Sequence, residues 1–398
     1  MRLMGCLGGG VCSGRGGRTP NEQSAAAAEI PPVDDAPIGS LAPEAHPPGE
    51  GNALPLVVGA EALGKLLTLP AIAIAQAVAV EQATGFTVRV PNTMAAEIAP
   101  GDLSDPLLLQ VWPQPDELIE VAGYVADPLC ELSARAAPGL IRKYRGRALL
   151  LAGEQCAIHC RFCFRRHNHQ ALRLSPSEPD SRPSGVGDGG PGDSGRGDGG
   201  RGVGRLDAAI AALAGDPSLS EVILSGGDPL MLSNRPLEDL MARLAAVSHL
   251  RRVRLHSRIP IAMPQRIDTE LIALLRATRL IPWLVVHVNH PRELSAAALS
   301  AGARLSDAGI PLLSQTVLLR GVNDRFEVLA ELFSRLVDHR IVPYYLHQLD
   351  AVAEAAHFAV EIDRGRELIR RLRAELPGYA VPRYVQETPG APNKVILE

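Results

Sequence analysis

From Arg147 to Leu376 short apolar runs alternate with amphipathic ones, and no other feature of the chain restricts its fold so far. RALLLAG reads as a buried strand and RLDAAIAALAG as a helix, and EVILSGG with LEDLMARLAAVSHL repeats the pair. The series continues through RRVRLHSR, TELIALLRATRL, PWLVVHVN, SAAALSAGARLSDAG, PLLSQTVLL, RFEVLAELFSRLVDHR, VPYYLHQL and GRELIRRLRAEL, making six βα units. A strand followed by a helix returns to the same end of the sheet, so successive strands pair in parallel. The expected class is α/β, either a barrel or an open doubly wound sheet. In both, residues that handle ligands belong at the C-terminal ends of the strands.

Around this core, residues 1–52 are rich in Gly, Ala, Pro and Ser without periodicity and are expected to be a disordered leader. Residues 53–140 mix short helical patterns with turn signals such as APGDLSDP, which predicts a small helical cap before a barrel at 141–380 and a C-terminal segment at 381–398. One stretch breaks the alternation: SRPSGVGDGGPGDSGRGDGGRGVG, within about 171–204, is expected to be a flexible insertion. Its arginines alternate with aspartates, so a solvated tether suits it better than an RNA-binding Arg-Gly segment.

With 40 basic against 44 acidic residues, nothing in the charge balance asks for a nucleic acid or an anionic membrane as partner. The opening residues are broken by glycines and make a poor signal peptide, and the most apolar stretch, LPLVVGAEALGKLLTLPAIAIAQAVAV, is interrupted by Glu61, Lys65 and two prolines. A cytoplasmic enzyme acting on a small molecule fits these limits. In a reducing compartment closely spaced cysteines are better read as ligands than as disulfide partners.

Three of the six cysteines stand together in CAIHCRFCFRRH, where Cys156, Cys160 and Cys163 follow the first strand. A structural zinc would want a fourth ligand, for which His159 and His167 are near, but the spacing departs from paired C-x2-C modules. An iron–sulfur cluster with three protein ligands leaves one iron open to a substrate or cofactor, and the spacing favours that reading. Cys6, Cys12 and Cys130 read as incidental thiols.

CAIHCRFC resembles the signature of radical S-adenosylmethionine (SAM) enzymes, which implies a partial (β/α)6 barrel and a 4Fe-4S cluster that binds SAM at its open iron. KYRGRALLL, SGGDPLM, HSRIPI, GVND, PYYLHQLD and PGYAVPRYV are similar to the lysine 2,3-aminomutase family within that superfamily, over residues from about Phe86 to Lys394. The shorter EpmB-type branch, which serves β-lysylation of translation elongation factor P (EF-P), is the nearer match, and a chain ending four residues after Lys394 suits it.

The resemblance gives meaning to motifs that are weak alone. Ser225, Gly226, Gly227 and Asp228 end a strand, where glycines serve any tight turn; by resemblance they lie beside the SAM amino group. His287 and Asn289 share a face of their strand and His290 begins the loop beyond; as lone polar residues they read as ordinary satisfied groups, and by resemblance His287 and Asn289 face SAM together with His256, Arg258 and Gln315. Lys394, a solvated charge by default, matches the family's lysine for pyridoxal phosphate (PLP), and Lys143, Tyr144 and Arg147 match its PLP-contacting segment. Arg165 matches the carboxylate-binding position and Asp324 and Asp350 the pair for a substrate ammonium, although Asp324 alone would read as a helix N-cap. Two aspartates disfavour glutamate as substrate.

The implied activity is L-lysine 2,3-aminomutation to β-lysine, with flavodoxin or ferredoxin as electron donor and EF-P with its lysyl ligase downstream. A free-standing aminomutase of β-lysine metabolism, and a non-catalytic iron–sulfur or zinc protein, are the alternatives. The oligomeric state is left open, a homo-oligomer included.

Overall fold

The computed structural model describes residues 56–167 and 206–398; the expected leader and Gly-rich insertion lie outside the described residues. The strands are β1 (Leu56–Val58), β2 (Arg89–Pro91), β3 (Arg135–Ala137), β4 (Leu140–Ile141), β5 (Arg147–Gly153), β6 (Glu221–Gly226), β7 (Arg252–Ser257), β8 (Ile281–His287), β9 (Leu312–Val317), β10 (Val342–His347), β11 (Arg383–Gln386) and β12 (Val395–Ile396). The longer helices are α1 (Ala60–Leu66), α2 (Ala71–Thr84), α3 (Asp207–Ala214), α4 (Asn234–Ala245), α5 (Thr269–Ala277), α6 (Ala296–Asp307), α7 (Phe326–Asp338) and α8 (Ile362–Glu375).

Strands β5 to β10 lie side by side in sequence order and all in parallel, as the six alternating units predict. Each crossover helix presents an apolar stripe to the sheet. In α7, Phe326, Leu329, Phe333 and Leu336 fall at helical spacing and are buried, and each such side chain stabilises by roughly 1.5–3 kcal/mol. Helix starts are set locally: Asp268 caps α5 by accepting from the Leu271 N–H at 2.7 Å, and Ser295 caps α6 through the Ala298 N–H at 3.2 Å.

The sheet extends beyond the six units at both ends. On one side β4 and β3 add antiparallel to β5, and on the other β11 adds parallel to β10 with β12 antiparallel outside it. Two to four residues are too few to show a period of two, so these strands are silent in the sequence. The 53–140 stretch therefore holds, besides α1 and α2, the β1–β2 pair and the first strands of the main sheet. The outermost strands, β3 and β12, do not pair with each other, so the barrel is partial. Among the described residues no helix is long and apolar enough to cross a membrane.

Candidate active site in the partial barrel

The loop leaving β5 spends every residue between its cysteines on holding itself in place. Ile158 packs into the cluster of α1 and α2, and Phe162 into a second cluster with Leu319, Leu349 and Phe358. The His159 N–H donates to the Arg89 carbonyl at 3.0 Å, its Nδ1 lies 2.7 Å from the Thr87 carbonyl, and its ring stacks on Phe86. Arg161 is fully buried and gives a fork of hydrogen bonds to the equally buried Glu117, and Arg166 joins the same carboxylate. Cys156, Cys160 and Cys163 are what remains facing the interior of the barrel, on a cavity of ≈ 1060 Å³.

The turn after β6 closes on this loop. Gly226 has φ of 103°, and a Cβ at Gly227 would meet the Gln155 carbonyl oxygen at 2.5 Å, so only glycines allow the two backbones to touch. Asp228 holds the turn: one carboxylate oxygen accepts from the Leu230 N–H at 3.0 Å and the Ser257 hydroxyl at 2.7 Å, the other from the Arg258 N–H at 2.7 Å. Burial pushes its carboxyl above the usual range, and those bonds oppose the rise. Arg258 in turn donates to Cys160 Sγ at 2.9 Å and to Glu293 at 2.8 Å, with Gln110 as a third acceptor.

At the opposite side, β11 and β12 form a hairpin whose register pairs Gln386 with Val395, so Glu387 and Lys394 are the next cross-strand pair. Glu387 accepts from Lys394 and, at 2.7 Å, from Lys143. Lys143 also lies 3.3 Å from Glu131, which receives Arg165 through Nε at 2.7 Å and Nη2 at 2.8 Å. An alternating row, Arg165, Glu131, Lys143, Glu387, Lys394, thus lines one side of the cavity. Burial works against charge at both carboxylates, yet the neighbouring cations outweigh it and hold both below the ordinary range.

The same cavity is lined by Ser225, Gly226, Gly227, Asp228, His256, Arg258, His287, Gln315, Tyr144, Arg147 and Asp350. Two expected residues are elsewhere. Asn289 is sealed in a polar network, donating to Gln110 at 2.9 Å and accepting from the Val317 N–H at 2.9 Å. Asp324 does not line the cavity: its carboxylate accepts from the Gly321 N–H at 3.1 Å and closes the loop before α7. Asn323 pins that loop by accepting from the Leu319 N–H and donating to the Asn289 and Val317 carbonyls. The acidic partner of Asp350 in the cavity is Glu387, seven residues before Lys394, a spacing that fits a hairpin neck once PGAPN is read as its turn.

No protein-family model matches the chain. It is 38% identical over 313 residues to the L-lysine 2,3-aminomutase of Escherichia coli (strain K12), covering 79% of this chain and 84% of that one. It is 36% identical over 332 residues to the L-lysine 2,3-aminomutase of Haemophilus influenzae, covering 83% and 90%, and 37% identical over 297 residues to that of Clostridium subterminale, covering 75% and 65%. The chain belongs to the lysine 2,3-aminomutase family.

As a member of that family it is an isomerase with a 4Fe-4S cluster, SAM and PLP as cofactors, and its residues can be tested against each. Three thiols on one pinned loop suit a cluster. Burial raises the Cys163 thiol to about 11 and Cys156 well above its usual value, so thiols without iron are protonated at neutral pH. For SAM, the Nε2 atoms of His256 and His287 are buried without hydrogen-bond partners, open to a ligand. Burial, aided by Arg258, lowers His287 to about 4, and burial, aided by Arg254 and Lys394, holds His256 well below its usual value, so both are neutral. For PLP, Lys394 stands 5.9 Å from the Tyr345 ring centroid, with Lys143, Tyr144 and Arg147 on the same cavity.

Proposed function

We propose that this protein converts L-lysine to β-lysine, moving the amino group from C2 to C3. The observation that carries the reading is that one cavity joins the three cysteines, Lys394, the Arg165 guanidinium and the carboxylates of Asp350 and Glu387. Lysine needs a cation for its carboxylate and an anion for its ε-ammonium, and a buried site must supply both.

When bound, the cluster with SAM supplies the hydrogen-abstracting radical, and PLP carries the migrating nitrogen. The chain's residues position the parts. Cys156, Cys160 and Cys163 hold the cluster, and Arg258 places a positive charge 2.9 Å from Cys160 Sγ. His287 and Gln315 extend from neighbouring strands in one register row toward the space beside the cysteines. Arg165, fixed by Glu131 on one edge, turns Nη1 to Ser225 at 3.1 Å and presents that edge to the substrate carboxylate near the cluster. Lys394 is the amine that would hold PLP, and Glu387, which accepts a hydrogen bond from it, fixes its position on the cavity. Asp350, a half-buried residue on the cavity whose carboxylate accepts no side-chain hydrogen bond among the described residues, receives the ε-ammonium. The apolar clusters around Ile158 and Phe162 exclude water from the radical source.

β-Lysylation of EF-P, through a lysyl ligase, is the destination that the motif resemblance favours, with flavodoxin or ferredoxin as electron donor in the cytoplasm. The test is anaerobic incubation of iron-reconstituted protein with SAM, PLP, dithionite and L-lysine, followed by chiral chromatography. β-Lysine is expected, absent from Cys160→Ala and Lys394→Ala variants, and its enantiomer separates the EF-P route from free β-lysine metabolism. SAM cleavage without β-lysine would sink the lysine assignment.

A further inference from the structure

Asp350 and Lys394 ride on different strands, and those strands are joined over a short length. β10 and β11 pair at Tyr345 with Arg383, Leu346 with Tyr384 and His347 with Val385, and the Gln348 N–H adds a last main-chain bond to the Val385 carbonyl at 2.8 Å. Beyond that point the chains part. One runs to Asp350 and the other to Glu387 and Lys394, and among the described residues no further main-chain hydrogen bond joins 349–355 to 386–398.

A side-chain bond reinforces the junction from behind the cavity wall. The Tyr384 hydroxyl donates to Gln348 Oε1, two residues before Asp350, while Gln348 Nε2 donates to the Val360 carbonyl at 2.8 Å, so the amide is pinned at both ends. Tyr384 is fully buried, Gln348 nearly so, and neither lines the cavity. Helix α8 gives way to the ring: Gly365 lies inside that helix, and a Cβ there would meet Tyr384 Oη at 2.2 Å. Glycine inside a helix is destabilising relative to alanine, so the helix gives up stability to seat this side chain. The main chain of Tyr384 is held on its other side, its carbonyl accepting from the Leu397 N–H at 3.0 Å and its N–H donating to the Glu398 carboxylate at 2.7 Å. Its backbone thus belongs to the hairpin that carries Lys394, and its hydroxyl holds the strand end that carries Asp350.

We propose that Tyr384, acting through Gln348, is a positioning residue that sets Asp350 relative to Lys394 and so makes the site selective for an amino acid with a terminal ammonium; this rests on the reading of Asp350 as the acceptor of the ε-ammonium. Lysine has a fixed reach and must meet both anchors at once, and a shift of about 1 Å between them is felt in binding and rate. Without the hydroxyl, Gln348 Oε1 is buried and unsatisfied, and the amide can find a new donor only by giving up Val360. The strand end then moves, and Asp350 moves with it.

The test measures by calorimetry the binding of L-lysine and of L-norleucine, which has the same carbon chain without the ε-amine. Full-length, iron-reconstituted protein is loaded with SAM and PLP and kept without reductant, so that neither ligand is turned over. Wild type is expected to bind lysine at least about 10-fold more tightly than norleucine, and Asp350→Asn to lose that preference. Tyr384→Phe should weaken lysine by about 10-fold and leave norleucine within about 2-fold of wild type. Gln348→Leu removes the same bond from the other side and should give the same split, and the double variant should be no worse than the weaker single one, since both residues act through one bond. Equal weakening of both ligands in Tyr384→Phe would make the tyrosine merely structural and overturn the inference. An undiminished preference for lysine in Tyr384→Phe, with the preference lost in Asp350→Asn, would also overturn it while the Asp350 reading stands. Wild type that binds both ligands alike, or an Asp350→Asn variant that keeps the preference, would overturn the Asp350 reading and this inference with it.

Discussion

Glu387 stands directly across the C-terminal hairpin from Lys394 and holds it together with Lys143, so one carboxylate serves two lysines on opposite sides of the chain's length. Replacing it by Gln removes the charge that offsets both ammonium groups. Glu387→Gln is expected to lose roughly 1–3 kcal/mol of stability, read from denaturant midpoints, because hydrogen bonds to charged groups are lost. It should also lower the yield of PLP attached to Lys394, measured by borohydride reduction and peptide mass spectrometry. An unchanged yield would show that the pair is a surface clasp and not part of cofactor binding.

Asp350 links the site to pH. Burial first, then the charge of Glu387, push its carboxyl up to about 7, against the pull of Lys394 and Lys143. A folded pKa above the unfolded one means the folded protein binds more protons, so this group's contribution falls as pH rises from the ordinary carboxylate range through 7. Asp350→Asn is therefore expected to be more stable than wild type at pH 8, by roughly 2–4 kcal/mol at about 1.4 kcal/mol per pH unit, with no difference near pH 4. Substrate changes the sign: an ε-ammonium needs the ionised carboxylate. KM for lysine in wild type should fall as pH rises from 6 to 8, and that dependence should vanish in Asp350→Asn. A KM that is flat in wild type would remove Asp350 from the substrate site.

The six central strands and the cysteine triad were legible because each has a local signature: apolar runs at regular intervals, and thiols with three and then two residues between them. The hairpin was not. Its strands are four and two residues long, and the partner that matters, Lys143, is 244 residues from Glu387. Glu117, Glu131 and Glu293 were equally silent, since each is an ordinary acidic residue until the fold brings Arg161, Arg165 or Arg258 to it. Asp324 follows a strand end, as ligand-binding residues do, and one oxygen of its carboxylate accepts from the Gly321 N–H, so GVND reads equally as a loop closure and as a ligand position.

The cysteine loop depends on a pair that touches no cofactor. Glu117 and Arg161 are both completely buried, and Arg166 leans on the same carboxylate. Glu117→Ala would leave the Arg161 guanidinium uncompensated and Arg166 with Glu354 as its remaining carboxylate, and losing one member of a buried pair costs roughly 3–5 kcal/mol. Because Arg161 lies between Cys160 and Cys163, the loss should spread to the ligands. Iron content after reconstitution is expected to fall well below that of wild type, while PLP binding at the far side of the cavity is retained. Loss of both in step would mean global unfolding and not a local effect on the loop.

Glu131 decides which way Arg165 points. Its two oxygens occupy Nε and Nη2 of the guanidinium at 2.7 and 2.8 Å, which leaves Nη1 as the edge turned toward Ser225 and the cavity. A bidentate pair of this kind sets orientation as well as charge, and the flexible arginine side chain loses that orientation if either bond weakens. Glu131→Gln keeps the size of the side chain but offers only one acceptor, so its amide faces one guanidinium N–H donor to donor. Arg165 should then swing among several positions, and the lysine carboxylate should be gripped less firmly. The expected signature is a KM for lysine raised about 10-fold with kcat changed much less, since the binding of the carboxylate is the same in the ground state and in the transition state. Glu131→Asp, which retains both oxygens on a shorter arm, should recover part of the loss. If kcat falls as far as kcat/KM in Glu131→Gln, then Arg165 acts on the chemical step itself, and a role confined to holding the carboxylate is refuted.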